Sequence, residues 1–264
     1  LGIEEVISGN DSTMSSFKKK WGLTIEALVI VFILIVLKAI IIIYDLEVAT
    51  ASPLIPALVG GVIFTIAIIF TGTLSDYKES EKIPGELAAS LKALYNDSKV
   101  LPIDDEVTSG MRIHIKALLH AINSNFRKNN WDLHEINSTM DAINNDIRLL
   151  SGKGMAPPLI VKLRVELINI DKISNRIKTI AETSFIPAAY GIAELAVGAV
   201  LILLLFLKTE PIYEGFALIG ATSSLLIGLI LLIKDMDNPF EVGKKTYADV
   251  DLSLLWNLEE FLKD

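Results

Sequence analysis

The sequence predicts an all-α polytopic membrane protein, with four transmembrane helices in two hairpins and a cytoplasmic helical bundle. Apolar runs at 23–44, 53–73, 185–207 and 213–233 are the first observation. Each is long enough to cross a ~30 Å hydrocarbon layer as a helix rising ~1.5 Å per residue. The second is their placement as two pairs on either side of a polar stretch, 74–184. The third is composition: 52% of residues are hydrophobic while 21% are charged, so the charge lies mainly outside the four runs.

These observations divide the chain into an N-terminal tail (1–22), a first transmembrane hairpin (23–73), a helical region (74–184), a second hairpin (185–233) and a C-terminal segment (234–264). No cleavage-site pattern follows an apolar core in the first twenty residues, so no signal peptide is expected. Basic residues set the orientation. Lys18, Lys19 and Lys20 precede the first run, Lys78, Lys82 and Lys92 follow the second, Lys172, Arg176 and Lys178 precede the third, and Lys234, Lys244 and Lys245 follow the fourth. The connectors inside each pair hold only Lys208. By the positive-inside bias, the expectation is a multi-pass protein of the cell membrane with both termini cytoplasmic.

The region 74–184 reads as helices throughout, with no period-two alternation. Ile83, Leu87, Leu91, Leu94 and Tyr95 form one apolar stripe, and Met111, Ile115, Leu118, Leu119, Ile122 and Phe126 form the next. Ile136, Met140, Ile143, Ile147 and Leu150 mark a third helix that ends near Gly152-Lys153-Gly154. After Pro157-Pro158 a fourth carries Leu159, Leu163, Leu167, Ile170, Ile173, Ile177 and Ile180, until Ser184 caps a new start with Pro187 in its first turn. The stretch 252–262 is a further amphipathic helix that docks on this bundle.

Few residues point to chemistry. His114, His120 and His134 make no metalloprotease pattern, no phosphate loop or nucleophile elbow is present, and Asp141, Asn144, Asn145 and Asp146 lack calcium-loop spacing. Asp104-Asp105-Glu106 suits a helix start, where the dipole favours acids. Cysteine is absent, which excludes disulfides and thiolate metal sites. The expectation is no enzyme, no cofactor and no bound metal. A net charge of −8 without a basic stripe also argues against nucleic acid as a partner.

Charged and small residues inside the apolar runs stand out. Glu26 and Glu194 fall toward the cytoplasmic third of their spans, and Lys38 falls in the outer half of the first. A charge at mid-helix costs about 2.5–3.5 kcal/mol on insertion scales, so it faces a partner or water. Glu26 and Glu194 are therefore candidates to share one proton or one cation, whereas Lys38 can snorkel outward. Gly60-Gly61, and Gly220, Ser224 and Gly228 at four-residue spacing, permit close helix approach. Pro56, Gly60, Phe64, Ile68 and Thr71 share one face of the second span, which in a ring of identical subunits would line an axis and gate ions by dewetting.

Three stretches resemble the bestrophin channels and, more closely, the prokaryotic bestrophin-like membrane proteins. They are Gly60-Gly61-Val62-Ile63-Phe64 leading through Phe70 to Asp76-Tyr77 and Glu86-Leu87; the long helix with Arg176 followed by Phe185-Ile186-Pro187; and Asp237-Asn238-Pro239-Phe240 after the fourth span. The resemblance implies a pentameric ion channel with a hydrophobic neck on the second span. Counted back from Tyr77, the neck positions are Pro56, Gly60 and Phe64, of which only Phe64 keeps the family's aromatic bulk. The acidic calcium clasp of animal bestrophins is replaced by Glu241-Val242-Gly243-Lys244-Lys245, so calcium gating is not expected.

Selectivity follows from charge. Asp45, Glu47, Glu210 and Glu214 face Lys208 in the outer turns, and Asp76, Glu79 and Glu81 continue the second span into a cytoplasmic vestibule, with Lys78 and Lys82 between them. Around a ring the acids favour cations. The expected partners are the lipid bilayer, further copies of the chain and small inorganic ions. A secondary transporter or proton-coupled carrier is the alternative, and a membrane-anchored sensor or scaffold the third, but neither matched broken helices nor an output motif is visible.

Overall fold

The protein is described by a computed structural model covering residues 4–101, 106–182, 187–241 and 247–262, with side chains from Lys20 onward. Nine α-helices are found among these residues, with two short β-bridge segments. In order they are α1 (Glu4–Ile43), β1 (Ala49–Thr50), α2 (Leu54–Ser80), α3 (Ile83–Lys99), α4 (Glu106–Lys128), α5 (Leu133–Gly152), α6 (Pro157–Glu182), α7 (Pro187–Leu205), β2 (Leu207–Lys208), α8 (Ile212–Asp237) and α9 (Ser253–Phe261). Four helical stretches are long and apolar enough to cross a membrane. The acids Asp104 and Asp105, the Ser184 cap, Phe185-Ile186 and the 242–245 part of the replaced clasp lie outside the described residues.

Two compact units emerge, one from Leu1–Ser75, Phe185–Asp237 and Lys245–Ala248, the other from Asp76–Ser184, Asn238–Lys244 and Asp249–Asp264. The first holds the apolar runs. α1 packs most extensively on α8, and α7 packs on both α8 and α1. Ile66, Val200, Ile219 and Leu226, all fully or almost fully buried, form its core with Val62, Ile69 and Leu204. Much of the remaining apolar surface points outward, as on Phe32, Leu195 and Ile202, which a bilayer accommodates and water does not. α1 does not start at the first apolar run: it carries back through Lys18, Lys19 and Lys20 to Glu4.

The strands were not anticipated. The connectors inside the two hairpins meet as a two-residue parallel ladder, with Ala49 opposite Leu207 and Thr50 opposite Lys208.

In the second unit the apolar stripes all turn inward. Leu87, Leu91, Leu94, Met111, Ile115, Leu118, Ile122, Ile136, Ile143, Leu150 and Ile170 are fully buried in one core. Helix ends follow local chemistry: Pro84 opens α3, the Asp132 carboxylate accepts from the His134 N–H at 2.9 Å to start α5, and Gly154 at φ +82° ends the turn after it. Phe126 packs on Trp131 and Phe240 at ring separations of 4.7 and 5.8 Å, which anchors the Pro239-Phe240 turn. α9 docks on α3 and α4 through buried Leu255 and Leu258, as the amphipathic pattern predicts.

A cluster of charges holds α9 in place. Glu259 accepts from Arg127 at 2.6 Å, His120 at 2.8 Å and Asn123 at 2.9 Å. Burial alone would raise this carboxyl, but the hydrogen bonds from Arg127, His120 and Asn123 and the Arg127 charge outweigh it and hold its pKa down to about 2.

Candidate functional site

α2 has two faces with different fates. Val62, Ile66, Ile69 and Thr73 turn into the core of the first unit. Pro56, Gly60, Phe64, Ile68 and Thr71 lie on the opposite side and are all exposed, Phe64 by 67%. Thr65 and Thr71 donate to the carbonyls of Gly61 and Ala67 in their own helix, which satisfies their hydroxyls without a neighbour. A Cβ placed on Gly60 or Gly61 meets nothing within 4 Å. These glycines therefore do not bring helices together within one chain, contrary to the small-residue expectation; Gly228 is equally open, and of these four glycines only Gly220 touches a neighbouring helix, at Ile35.

The expected pairing of Glu26 with Glu194 is not formed. Glu194 instead binds Lys234 at 2.5 Å, with both side chains about half exposed at 46% and 53%. The reason is the antiparallel α7–α8 hairpin, which brings the start of α7 beside the last turn of α8. Glu26 accepts a hydrogen bond from the Tyr247 hydroxyl at 2.9 Å, and this bond pushes the tyrosine's pKa up. Tyr247 lies directly against Gly22, where a Cβ would overlap its ring, and its backbone N–H donates to Asp235. Each carboxylate has its own partner within the protomer, Tyr247 for Glu26 and Lys234 for Glu194.

Lys38 does not snorkel. Its side chain is completely buried and its ammonium donates to Glu47 at 2.6 Å and to the carbonyls of Leu205 at 3.0 Å and Leu207 at 2.5 Å. Three donors meet three acceptors, so the charge is fully satisfied. Gly215 makes room for it: a Cβ there would meet Lys38 Cε at 3.4 Å and Thr209 Oγ1 at 2.5 Å. One side chain thus ties α1 to the connector before β1 and to the end of α7.

Two of the three acids expected to line a vestibule are also engaged. Arg176 grips Glu79 with two nitrogens at 2.7 and 3.0 Å and reaches Asp76 at 3.5 Å, while Glu81 is exposed. The Arg176 charge offsets much of the negative field expected there. At the other end of the same motif region, the Tyr190 hydroxyl donates to Asp237 at 2.8 Å and lies 3.2 Å from Thr73 Oγ1, which joins α7, α8 and α2. Sequence reading did not single out Tyr190 or Tyr247. No spacing rule flags an aromatic hydroxyl whose partners are distant in the chain.

No protein-family model matches the chain, and no curated protein sequence does. Solved structures do. A crystal structure of a bacterial bestrophin homologue from Klebsiella pneumoniae carrying one substitution superposes with a TM-score of 0.75 at 14% identity, over 90% of this chain and 97% of the other. Another crystal structure of that homologue gives 0.75 at 13% identity, over 90% and 96%. The crystal structure of a membrane protein variant gives 0.75 at 13% identity, over 90% and 97%. The chain has the fold of these bacterial bestrophin homologues.

Proposed function

We propose that this chain is the protomer of a homo-oligomeric ion channel, a pentamer, in which the exposed face of α2 lines the conduction path. The observation that carries the reading is the two-sided character of α2: Pro56, Gly60, Phe64, Ile68 and Thr71 form one unpartnered face, and the opposite face is packed into the core. One protomer cannot enclose a pore with a single lining helix, so copies of that face must converge on an axis. Phe64 and Ile68 supply apolar bulk for a constriction that dewets, and Gly60 leaves the path wider one turn away. The sequence resemblance to the bestrophin channels implies the same assembly, and the fold shared with bacterial bestrophin homologues is consistent with that resemblance.

Both termini and the second unit are cytoplasmic in this reading, as the lysine distribution favours. A preference for cations rests on fewer acids than the sequence offers. Glu47 is neutralised by Lys38, and Asp76 and Glu79 share Arg176. Exposed Asp45, Glu210 and Glu214 remain in the outer turns against Lys208, with Glu81 at the inner end. The unbroken helices α2 and α8 weigh against a carrier that binds substrate at interrupted helices.

The test is reconstitution of the purified protein into planar bilayers with reversal potentials measured under salt gradients, together with its mass in detergent. Conductance with a reversal potential on the cation side and a pentameric mass are expected. A monomeric mass, or silent bilayers containing correctly inserted protein, overturns the reading.

A further inference from the structure

The face of α2 that carries Phe64 does not end at Thr71. Steps of one helical turn from Thr71 reach Ser75 and then Glu79, both exposed, and α2 is one unbroken helix from Leu54 to Ser80. Glu79 is therefore the first carboxylate on the face assigned above to the conduction path, with exposed Lys78 beside it. Asp76 lies one turn earlier, about 60° round the helix. Glu81 stands exposed just after the helix ends.

Arg176, on α6, closes on two of these acids. Its guanidinium donates to both oxygens of Glu79, from Nε at 3.0 Å and from Nη2 at 2.7 Å, and Nη2 also lies 3.5 Å from Asp76. A guanidinium does not deprotonate in the pH range of a folded protein, and its planar fork fits a carboxylate through two parallel bonds. A lysine at this position would bring the same charge without that fixed geometry. The wall beyond is balanced. A groove of about 750 Å³ between α3 and α6 sets Glu86 and Glu166 against Lys82 and Lys172, in addition to Glu79 and Arg176. Removing Arg176 therefore adds one net negative charge to each protomer and uncovers two carboxylates at once, one of them on the Phe64 face.

We propose that Arg176 is a selectivity-determining residue: by covering Glu79 and Asp76 it keeps the inner end of the conduction path close to neutral, so that the channel discriminates only weakly between small inorganic cations and anions. The inference rests on the channel reading given above. Uncovered, the two carboxylates of each copy would form a ring about the axis and concentrate cations there.

The experiment measures reversal potentials of the full chain in planar bilayers under a potassium chloride gradient. Arg176→Gln should raise the cation-to-anion permeability ratio about tenfold, the order that a ring of exposed charges about 10 Å from its axis gives in screened water. Arg176→Lys, which keeps the charge, should shift the ratio far less. Glu79→Gln leaves the Arg176 charge uncovered and should lower the ratio by a similar factor, a result that does not depend on how the Arg176 variants fold. The double variant Arg176→Gln/Glu79→Gln should return close to the wild-type ratio, a reversal that a purely structural role for Arg176 does not produce. A conducting Arg176→Gln with the wild-type ratio, or a Glu79→Gln whose ratio does not fall, overturns the proposal and leaves the channel reading standing. Silent bilayers containing inserted wild-type protein overturn both.

Discussion

Replacing Lys38 with methionine keeps the stem that packs against Gly215 and removes only the ammonium. The Lys38 side chain is 0% exposed and Glu47 is 10% exposed, so the change strands a carboxylate with little access to water. Removing one partner of a buried ion pair costs about 3–5 kcal/mol. The carbonyls of Leu205 and Leu207 lose a charged donor as well, at about 1–3 kcal/mol for each group left unsatisfied. The two effects overlap, because the same side chain serves all three acceptors, and a loss of about 4 kcal/mol is expected. The reasoning makes a second, sharper claim. In the double variant Lys38→Met/Glu47→Met no stranded charge remains, so stability should recover most of the way and retain only the deficit of the two carbonyls, about 1–3 kcal/mol. Equilibrium unfolding of the purified protein in mixed micelles, with increasing mole fractions of a denaturing detergent, measures both variants against wild type. A single variant within about 0.5 kcal/mol of wild type would refute the buried-pair argument. A double variant less stable than the single would refute its electrostatic part.

Three further outcomes are expected. Phe64→Ala should raise ion flux by widening the neck with little loss of protomer stability, since the ring is 67% exposed within the chain; unchanged flux in a folded variant removes Phe64 from the path. Glu194→Gln should alter stability by no more than about 1 kcal/mol, because the Lys234 pair is half exposed; a larger loss in detergent unfolding counts against this. Glu259 has a folded pKa of about 2, below its unfolded value, so the stability that it contributes to α9 docking is fully present above about pH 4.5 and is lost as pH falls toward 2. Glu259→Gln should flatten that acid limb, read as amide hydrogen exchange in α9 against pH; an unchanged acid limb would exclude Glu259 as its source.

Periodicity made most of the fold legible. The stripes from Ile83 to Tyr95, Met111 to Phe126 and Ile136 to Leu150 all turned inward, because a helix repeats its face every few residues and burial selects that face. The exposed face of α2 was legible for the same reason. What the sequence did not disclose was pairing between elements far apart in the chain. Lys38 finds carbonyls more than 160 residues away, which only the meeting of the two hairpin connectors makes possible. Arg176 was noticed as a motif residue, but its grip on Glu79 and Asp76, about a hundred residues earlier, depends on how α3 and α6 pack. The Glu194–Lys234 pair left a usable signal. In an antiparallel hairpin the early part of one helix meets the end of the other, so an acid near the start of α7 and a base in the last turn of α8 belong together.

Counting hydrogens where α2, α7 and α8 meet gives a less static picture of that junction. Tyr190 has one hydroxyl hydrogen, and it goes to Asp237. Thr73 also has one, with two acceptors at the same 3.2 Å: the Ile69 carbonyl of its own helix and the Tyr190 oxygen. Two protons serve three contacts. At any instant Thr73 either closes on its own backbone or binds α7, and a rotation about a single C–O bond converts one state to the other. The α2–α7 contact therefore competes with the Thr73 bond to its own helix, while the Tyr190–Asp237 bond between α7 and α8 keeps a hydrogen of its own.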